Sequence, residues 1–169
     1  AITIAKAASG SFAWADVPMY FAAQMIGAMI GATLVWLIYK QHFDATEDAA
    51  AKLAVFCTGP AIRGATYNLL TEIIATCLFV TAVLFITHGK ESLGSLDALP
   101  VALVALAMGT SLGGRTGYAI NSARDLGPRI MHSILPISNK GTSDWEYSLV
   151  PVAGPVIGAF LAVWLHGIL

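Results

Sequence analysis

The residue types best suited to select a solute lie together in segment 117–125, Gly-Tyr-Ala-Ile-Asn-Ser-Ala-Arg-Asp. Asn121, Arg124 and Asp125 come directly after a long apolar run. A charged side chain at the centre of a bilayer costs roughly 3 kcal/mol or more, so such groups persist where they line a water-filled cavity or are buried in protein. The segment therefore predicts the wall of a pore.

The polar residues of this segment are expected to have different roles. Asn121 stands where a short helix begins, so its carboxamide can cap the first turn and offer its amide hydrogens to a passing solute. Arg124 presents a planar fork of donors, which can hold hydroxyl oxygens and exclude cations at a narrow point. The ordinary alternatives are a plain helix cap for Asn121 and a snorkelling side chain for Arg124. Asp125 is expected to order the loop near the helix N-terminus rather than to contact solute.

The composition indicates a membrane protein. Hydrophobic residues make up 57% of the chain and charged residues 11%, whereas about a quarter of the residues are charged in a soluble domain. A net charge of -1 without a basic run leaves no footprint for nucleic acid. Cys57 and Cys77 share no close spacing with each other or with a histidine, so neither a metal site nor a disulfide is predicted. No cofactor and no catalytic group are expected.

Segments of about 20 mostly apolar residues predict spanning helices. These segments are 19–39, 67–87, 96–112 and 147–169. Two apolar pieces, 1–8 and 122–135, are too short to cross and are predicted as half-helices, because non-helical backbone at membrane depth must be buried or line a cavity. The alternative for the second piece is an amphipathic helix on the membrane surface. Segment 40–64 is predicted as an aqueous loop with a short helix, and 88–91 as a tight turn.

The chain also contains a weak internal repeat. Gly27 and Gly31 share a Gly-xxx-Gly-Ala pattern with Gly154 and Gly158, and each pair follows one of the short pieces. Such symmetry is typical of membrane proteins built from paired repeats. Small residues four apart allow helices to approach closely, either within one chain or between copies.

Glu72 lies in the first third of the apolar segment 67–87. A buried carboxylate needs hydrogen-bond donors, and the backbone N–H groups of loop 116–120 can supply them. The carbonyls of Gly117, Ala119 and Ile120 would then turn toward the lumen as acceptors. The alternative is a proton relay, although no second carboxylate or histidine shares this segment.

Segment 117–128 resembles the second signature of the glycerol-facilitator branch of the major intrinsic protein (aquaporin) family, Gly-(Phe or Tyr)-Ala-x-Asn-Pro-Ala-Arg-Asp-x-Gly-Pro. The one departure is Ser122, where the family has proline, which leaves the pore geometry at that point open. The likeness extends to Glu72 in the fourth helix and to segment 151–155 at the sixth. The pore motif would comprise Asn121, Ser122 and Ala123.

The resemblance implies an all-α membrane protein, an aquaporin-like inverted-repeat helical bundle with two re-entrant half-helices. The chain would run half-helix, TM3, TM4, TM5, half-helix and TM6 as a single channel domain over 1–169. The first half-helix would lie within 1–11, and the second signature loop and half-helix within 113–135. Ala1 would be the last residue of the first Asn-Pro-Ala motif, with TM1 and TM2 preceding it in the intact protein.

The resemblance also assigns a selectivity filter to Gly109, Tyr118 and Arg124. Gly109 is expected to leave space and Tyr118 to present an aromatic wall, so that carbon atoms meet the ring while hydroxyls meet Arg124. Glu72 and Asp125 would support this site. The implied function is a passive channel for glycerol, other small neutral solutes and water in the lipid bilayer, multi-pass in the plasma membrane and homotetrameric. The rivals are a water-selective channel, an ion- or proton-coupled transporter using Glu72 and Arg124, and a non-conducting subunit.

Overall fold

The computed structural model describes residues 1–87 and 92–169, and these residues contain helices and no strand. The turn predicted at 88–91 lies outside them. The helices are α1 Ile2–Ala8, α2 Val17–Ile38, α3 Lys40–Ala45, α4 Ala49–Phe56, α5 Ala65–Thr87, α6 Leu99–Thr116, α7 Ser122–Ile134 and α8 Leu149–Ile168. The predicted order of half-helices and spanning helices is therefore confirmed.

Helices α2, α5, α6 and α8 are long and apolar enough to cross a membrane. Short 3-10 turns extend three of them, so the candidate spans are Trp14–Ile38, Ala65–Thr87, Gly94–Thr116 and Trp145–Ile168. The four predicted spans are confirmed, with ends that differ by a few residues. Segment 40–64 contains two short helices, α3 and α4, rather than one.

The predicted boundary at residue 113 is wrong. Gly113 and Gly114 belong to the last turn of α6, which continues to Thr116 and ends on Gly117 with φ at +78°. Among Gly113, Gly114 and Gly117, only Gly117 adopts the left-handed conformation that favours glycine. Gly113 is helical, and the ring of Tyr118 lies against it. A glycine at this position therefore allows the ring to pack and does not form a turn.

The core forms where α8 packs on α5. A Cβ atom placed on Gly154 would lie 2.5 Å from the Glu72 Cβ, and one on Gly158 would lie 2.6 Å from the Ile73 carbonyl oxygen. This Gly-xxx-Gly pair therefore packs helices within the chain. Nothing described lies within 4 Å of such an atom on Gly27 or Gly31, so the two halves of the repeat are not equivalent in their contacts.

The half-helices α1 and α7 both pack against α8. One side of α1, formed by Ile4, Ala5 and Ala7, is buried in the core. Helix α7 lies against α2, where Gly127 approaches Ala28 so closely that an added Cβ would stand 2.9 Å from the alanine Cβ. The spanning helices thus hold the two short helices in place on either side of a shared cavity.

Candidate functional site

A cavity of about 560 Å³ extends along the half-helices. Its wall includes Tyr118 and Arg124 on one side, Ala1 and Asn121 at the starts of α1 and α7, and Lys6 near the end of α1. We call its two ends the Arg124 end and the Lys6 end. Because Ala1 and Asn121 share the wall, the N-termini of the two half-helices meet along one continuous space.

Asn121 caps α7. Its side-chain oxygen accepts from the backbone N–H of Ala123 at 3.1 Å and of Arg124 at 3.4 Å. The cap occupies the oxygen of the carboxamide, so its two amide hydrogens are the groups left for the cavity. The helix cap and the pore donor are therefore compatible roles of one side chain.

Arg124 lies exposed on the cavity wall. Within residues 1–87 and 92–169, no side-chain hydrogen bond or ion pair of Arg124 is found. The neighbouring carboxylate of Asp125 is instead fully buried and bonded elsewhere. The guanidinium thus presents its donors to the cavity, as a solute-binding group would, rather than to a protein acceptor.

The ring of Tyr118 covers two glycines of α6. A Cβ atom on Gly109 would lie 3.0 Å from the Tyr118 Cζ, and one on Gly113 would lie 2.8 Å from its Cδ1. The space expected at Gly109 is therefore filled by this ring, and Gly109 is not part of the cavity wall. The absence of a side chain at Gly109 lets the ring lie close to α6, and Gly113 allows the same close approach.

Glu72 holds the loop that carries Tyr118. It is fully buried and accepts from the Thr116 hydroxyl at 2.6 Å, from the Ala119 N–H at 3.0 Å and from the Ile120 N–H at 3.0 Å. Tyr118 and Ile120 both adopt positive φ, at +41° and +42°. This backbone is unfavourable for a β-branched residue, and the carboxylate stabilises it.

The same contacts indicate which carbonyls face away from Glu72. In a trans peptide the N–H and the preceding C=O point in opposite directions. The N–H groups of Ala119 and Ile120 point at Glu72, so the carbonyls of Tyr118 and Ala119 point away from it. Gly117 lies against Thr58 and outside the cavity wall, so its carbonyl and that of Ile120 stay predictions.

A buried ion pair anchors α7 to the loops around it. Asp125 accepts from the Thr58 N–H at 2.7 Å and from its hydroxyl at 2.6 Å, and pairs with Arg129 at 2.9 Å. Arg129 also donates to the carbonyls of Thr58, Ser143 and Asp144, each at 2.8 Å. Sequence analysis did not find Thr58 or Ser143, because carbonyl acceptors in loops carry no sequence signal.

Ser122 lies beside the cavity rather than on its wall. Its hydroxyl donates to the Val152 carbonyl of α8 at 3.0 Å. Ser122 and Ala123 instead line a second, smaller cavity of about 250 Å³ between α1, α2, α7 and α8, together with Ala1 and Asn121. The motif residues therefore divide into Asn121 and Ala1, which reach both cavities, and Ser122 and Ala123, which reach the second.

A proton relay through Glu72 finds no support in this geometry. The carboxylate lies outside the main cavity, and donors occupy both its oxygens. Across residues 1–87 and 92–169, no cluster of three His, Cys, Asp or Glu side chains is placed to hold a metal ion. The role that this geometry supports for Glu72 is to hold the loop in its conformation.

Comparison with known proteins agrees with this architecture. The family model for "Major intrinsic protein" matches residues 1–166. The chain is 50% identical over 169 residues to glycerol uptake facilitator protein 3 of Lactiplantibacillus plantarum, covering all of this chain and 70% of the relative. It is 52% identical over 166 residues to a probable glycerol uptake facilitator protein of Thermotoga maritima, covering 98% of this chain and 70% of the relative.

The fold is also shared with a solved structure, the aquaglyceroporin from Plasmodium falciparum. The TM-score is 0.81 at 26% sequence identity, and the match covers 96% of this chain and 68% of that one. Fold, site geometry and relatives thus agree, and the chain belongs to the major intrinsic protein family.

Proposed function

We propose that this protein is a passive channel of the plasma membrane that conducts glycerol and other small neutral solutes, together with water, and excludes ions and protons. The observation that carries the proposal is the cavity wall on which the ring of Tyr118 and the free guanidinium of Arg124 both lie. A polyol has a carbon face and a hydroxyl face. Such a wall can replace the water around both faces at once, because the carbon atoms contact the ring while the hydroxyls bind the guanidinium. Channel activity of this kind requires no reacting group and no cofactor.

Exclusion of cations follows from charge. Arg124 is cationic, and the N-termini of α1 and α7 meet at the cavity with the positive ends of their backbone dipoles. Neutral solutes do not experience this repulsion, whereas a cation or a proton does. Gly109, Tyr118 and Arg124 are therefore proposed as the selectivity filter, with Gly109 acting through the ring that it supports.

A water-selective channel is the closest rival. Such a channel needs a filter narrowed by polar side chains, whereas here an aromatic ring lies where glycerol carbons can pack. Glycerol uptake facilitators among the relatives support the same choice. Glu72 and Asp125 are proposed as supports of the filter, because both are buried beneath it.

Swelling of vesicles that contain the full-length protein tests the proposal. We expect glycerol entry that increases linearly with the gradient and that is unchanged when a proton gradient is applied or removed. Saturating entry that requires a proton gradient would establish a coupled transporter instead. Water movement without glycerol entry would establish the water-selective rival.

Arg124→Ala tests the filter itself. We expect glycerol entry to persist and exclusion of protons and small cations to weaken, because the fixed positive charge is lost. Arg63→Ala is the matched control, since this arginine is exposed and pairs with Asp144 away from the cavity. Equal ion exclusion in Arg124→Ala and wild-type vesicles would remove Arg124 from the filter.

We also propose a homotetramer in the lipid bilayer, with residues 1–169 forming one channel domain in each copy. The most apolar windows of α2 and α6 are not buried inside the described structure, so these faces are open to lipid, to another copy, or to the TM1 and TM2 helices that the family resemblance implies. Cross-linking in native membranes would show a ladder that ends at four copies if the proposal holds.

A further inference from the structure

The Lys6 end of the cavity has a wall of its own. Helix α1 buries Ile4 in the core, while Ile2, Thr3 and Lys6 line the cavity. Residues three and four apart share one face of a helix, which explains why these three lie together. Lys6 thus faces the space that a solute crosses between Asn121 and the Lys6 end.

The backbone of Lys6 is fixed by hydrogen bonds to its carbonyl. Its carbonyl accepts from the Ser11 N–H at 2.9 Å and from the hydroxyls of Ser9 and Ser11 at 3.1 Å. Within the described residues its ammonium has no hydrogen-bond or ion-pair partner. The backbone of Lys6 is thus fixed at the cavity, and its ammonium offers three donors that have no acceptor among the described residues.

Aromatic and polar groups complete this wall. The rings of Phe12 and Tyr20 form an edge-to-face pair with centroids 4.7 Å apart, and both line the cavity. Gln24 donates to the Thr3 hydroxyl at 2.9 Å, which leaves the Gln24 oxygen and the Thr3 hydroxyl hydrogen for a solute. Cationic donor, apolar rings and neutral polar groups are thus combined at this end.

We propose that Lys6 and the Phe12–Tyr20 pair, with Thr3 and Gln24, form a second solute-binding station in the same channel. The station takes small polyhydroxylated compounds, with hydroxyl oxygens on Lys6 and carbon atoms on the rings. It deepens the proposed function and rests on it. A second station lets a solute that leaves Asn121 keep hydrogen-bond partners before it regains bulk water, which lowers the cost of crossing the apolar wall.

Lys6→Met is the decisive variant, because it keeps the length of the side chain and removes its donors. In vesicles of the full-length protein we expect the ratio of glycerol to water permeability to fall about tenfold, equivalent to about 1.4 kcal/mol. Lys6→Arg should retain the wild-type ratio, because it keeps cationic donors. Lys40→Met is the matched control, since Lys40 is exposed and pairs with Asp44 in α3.

Tyr20→Leu tests the apolar side independently of α1. It should lower the glycerol-to-water ratio while leaving water permeability near wild type. An unchanged ratio in both Lys6→Met and Tyr20→Leu, in a wild type that conducts glycerol, overturns the station and leaves the proposed function intact. A loss of thermal stability in Lys6→Met without a change in the ratio also overturns it, because Lys6 would then only stabilise the end of α1. A wild type that does not conduct glycerol overturns both.

Discussion

The ring of Tyr118 rests on Gly113, so closely that a Cβ atom at this glycine would stand 2.8 Å from Cδ1 of the ring. Gly109 lies one turn earlier in α6, and a Cβ atom added there would stand 3.0 Å from Cζ of the same ring. The aromatic side of the filter is therefore a ring that packs directly on α6, because neither glycine has a side chain to keep it away. The position of the ring, and with it the passage beside it, therefore depends on α6 as well as on the loop.

Gly113→Ala should narrow the passage. The added methyl cannot fit beneath the ring, so Tyr118 must move away from α6. We expect glycerol permeability to fall more than water permeability, because the larger solute needs the full width. Gly114→Ala is the matched control, since an added Cβ there has nothing described within 4 Å. Equal effects of the two variants in a swelling assay would show that Gly113 does not set the width.

Glu72→Gln should weaken the loop that carries Tyr118. The amide presents hydrogens to an environment made of donors, the Thr116 hydroxyl and two backbone N–H groups. An unpaired buried donor costs about 1–3 kcal/mol, so the melting temperature and glycerol permeability should both fall. Thr71→Val, at an exposed hydroxyl of the same helix that bonds only to the Tyr67 carbonyl, is the control. Wild-type stability and flux in Glu72→Gln would remove the carboxylate from this role.

Arg129→Met should destabilise the protein strongly. It leaves the buried carboxylate of Asp125 without its cationic partner and frees three loop carbonyls. Breaking one side of a buried pair typically costs about 3–5 kcal/mol. Asp125→Asn combined with Arg129→Met should recover part of the loss, because no unpaired charge remains. Thermal unfolding in detergent measures both, and a double variant less stable than Arg129→Met would contradict the ion-pair explanation.

Sequence reasoning succeeded where one residue type forced one structure. Asn121 before an apolar piece indicated the start of α7, and Glu72 within an apolar run required donors that the loop supplies. It failed at Gly113, because a glycine that accommodates a ring looks the same in sequence as a glycine that makes a turn. It did not find Thr58, since the contact with Asp125 joins residues 67 positions apart.

Cys57 should be inert in the native protein. The pKa of this thiol is raised to about 12, chiefly by burial; Arg129 opposes the rise, while the carboxylates of Asp125 and Asp144 contribute to it. At pH 8 this lowers the thiolate fraction about a thousandfold relative to an ordinary thiol, and the thiolate is the reactive form. The raised pKa favours the folded state below about pH 9, and this contribution is lost as the pH rises toward 12.

Maleimide labelling at pH 8 measures this directly. We expect slow labelling of the native protein and rapid labelling after denaturation. A Ser138→Cys variant in a background of Cys57→Ala and Cys77→Ala is the control, because residue 138 is exposed. If Cys57 in the native protein reacts as fast as the thiol at 138, the segment around Thr58 is not packed tightly enough to bury it.

Ser122 should sustain conduction without the proline of the family signature. Its hydroxyl donates to the Val152 carbonyl of α8, which ties the start of α7 to this helix. Ser122→Pro exchanges this bond for a stiffer backbone, so we expect glycerol permeability close to wild type. Ser122→Ala has neither the hydrogen bond to Val152 nor the stiff backbone of proline, and it should lower the free energy of unfolding by about 1 kcal/mol. If wild-type vesicles admit no glycerol and Ser122→Pro vesicles do, serine at this position closes the channel, and its bond to Val152 does not replace the proline.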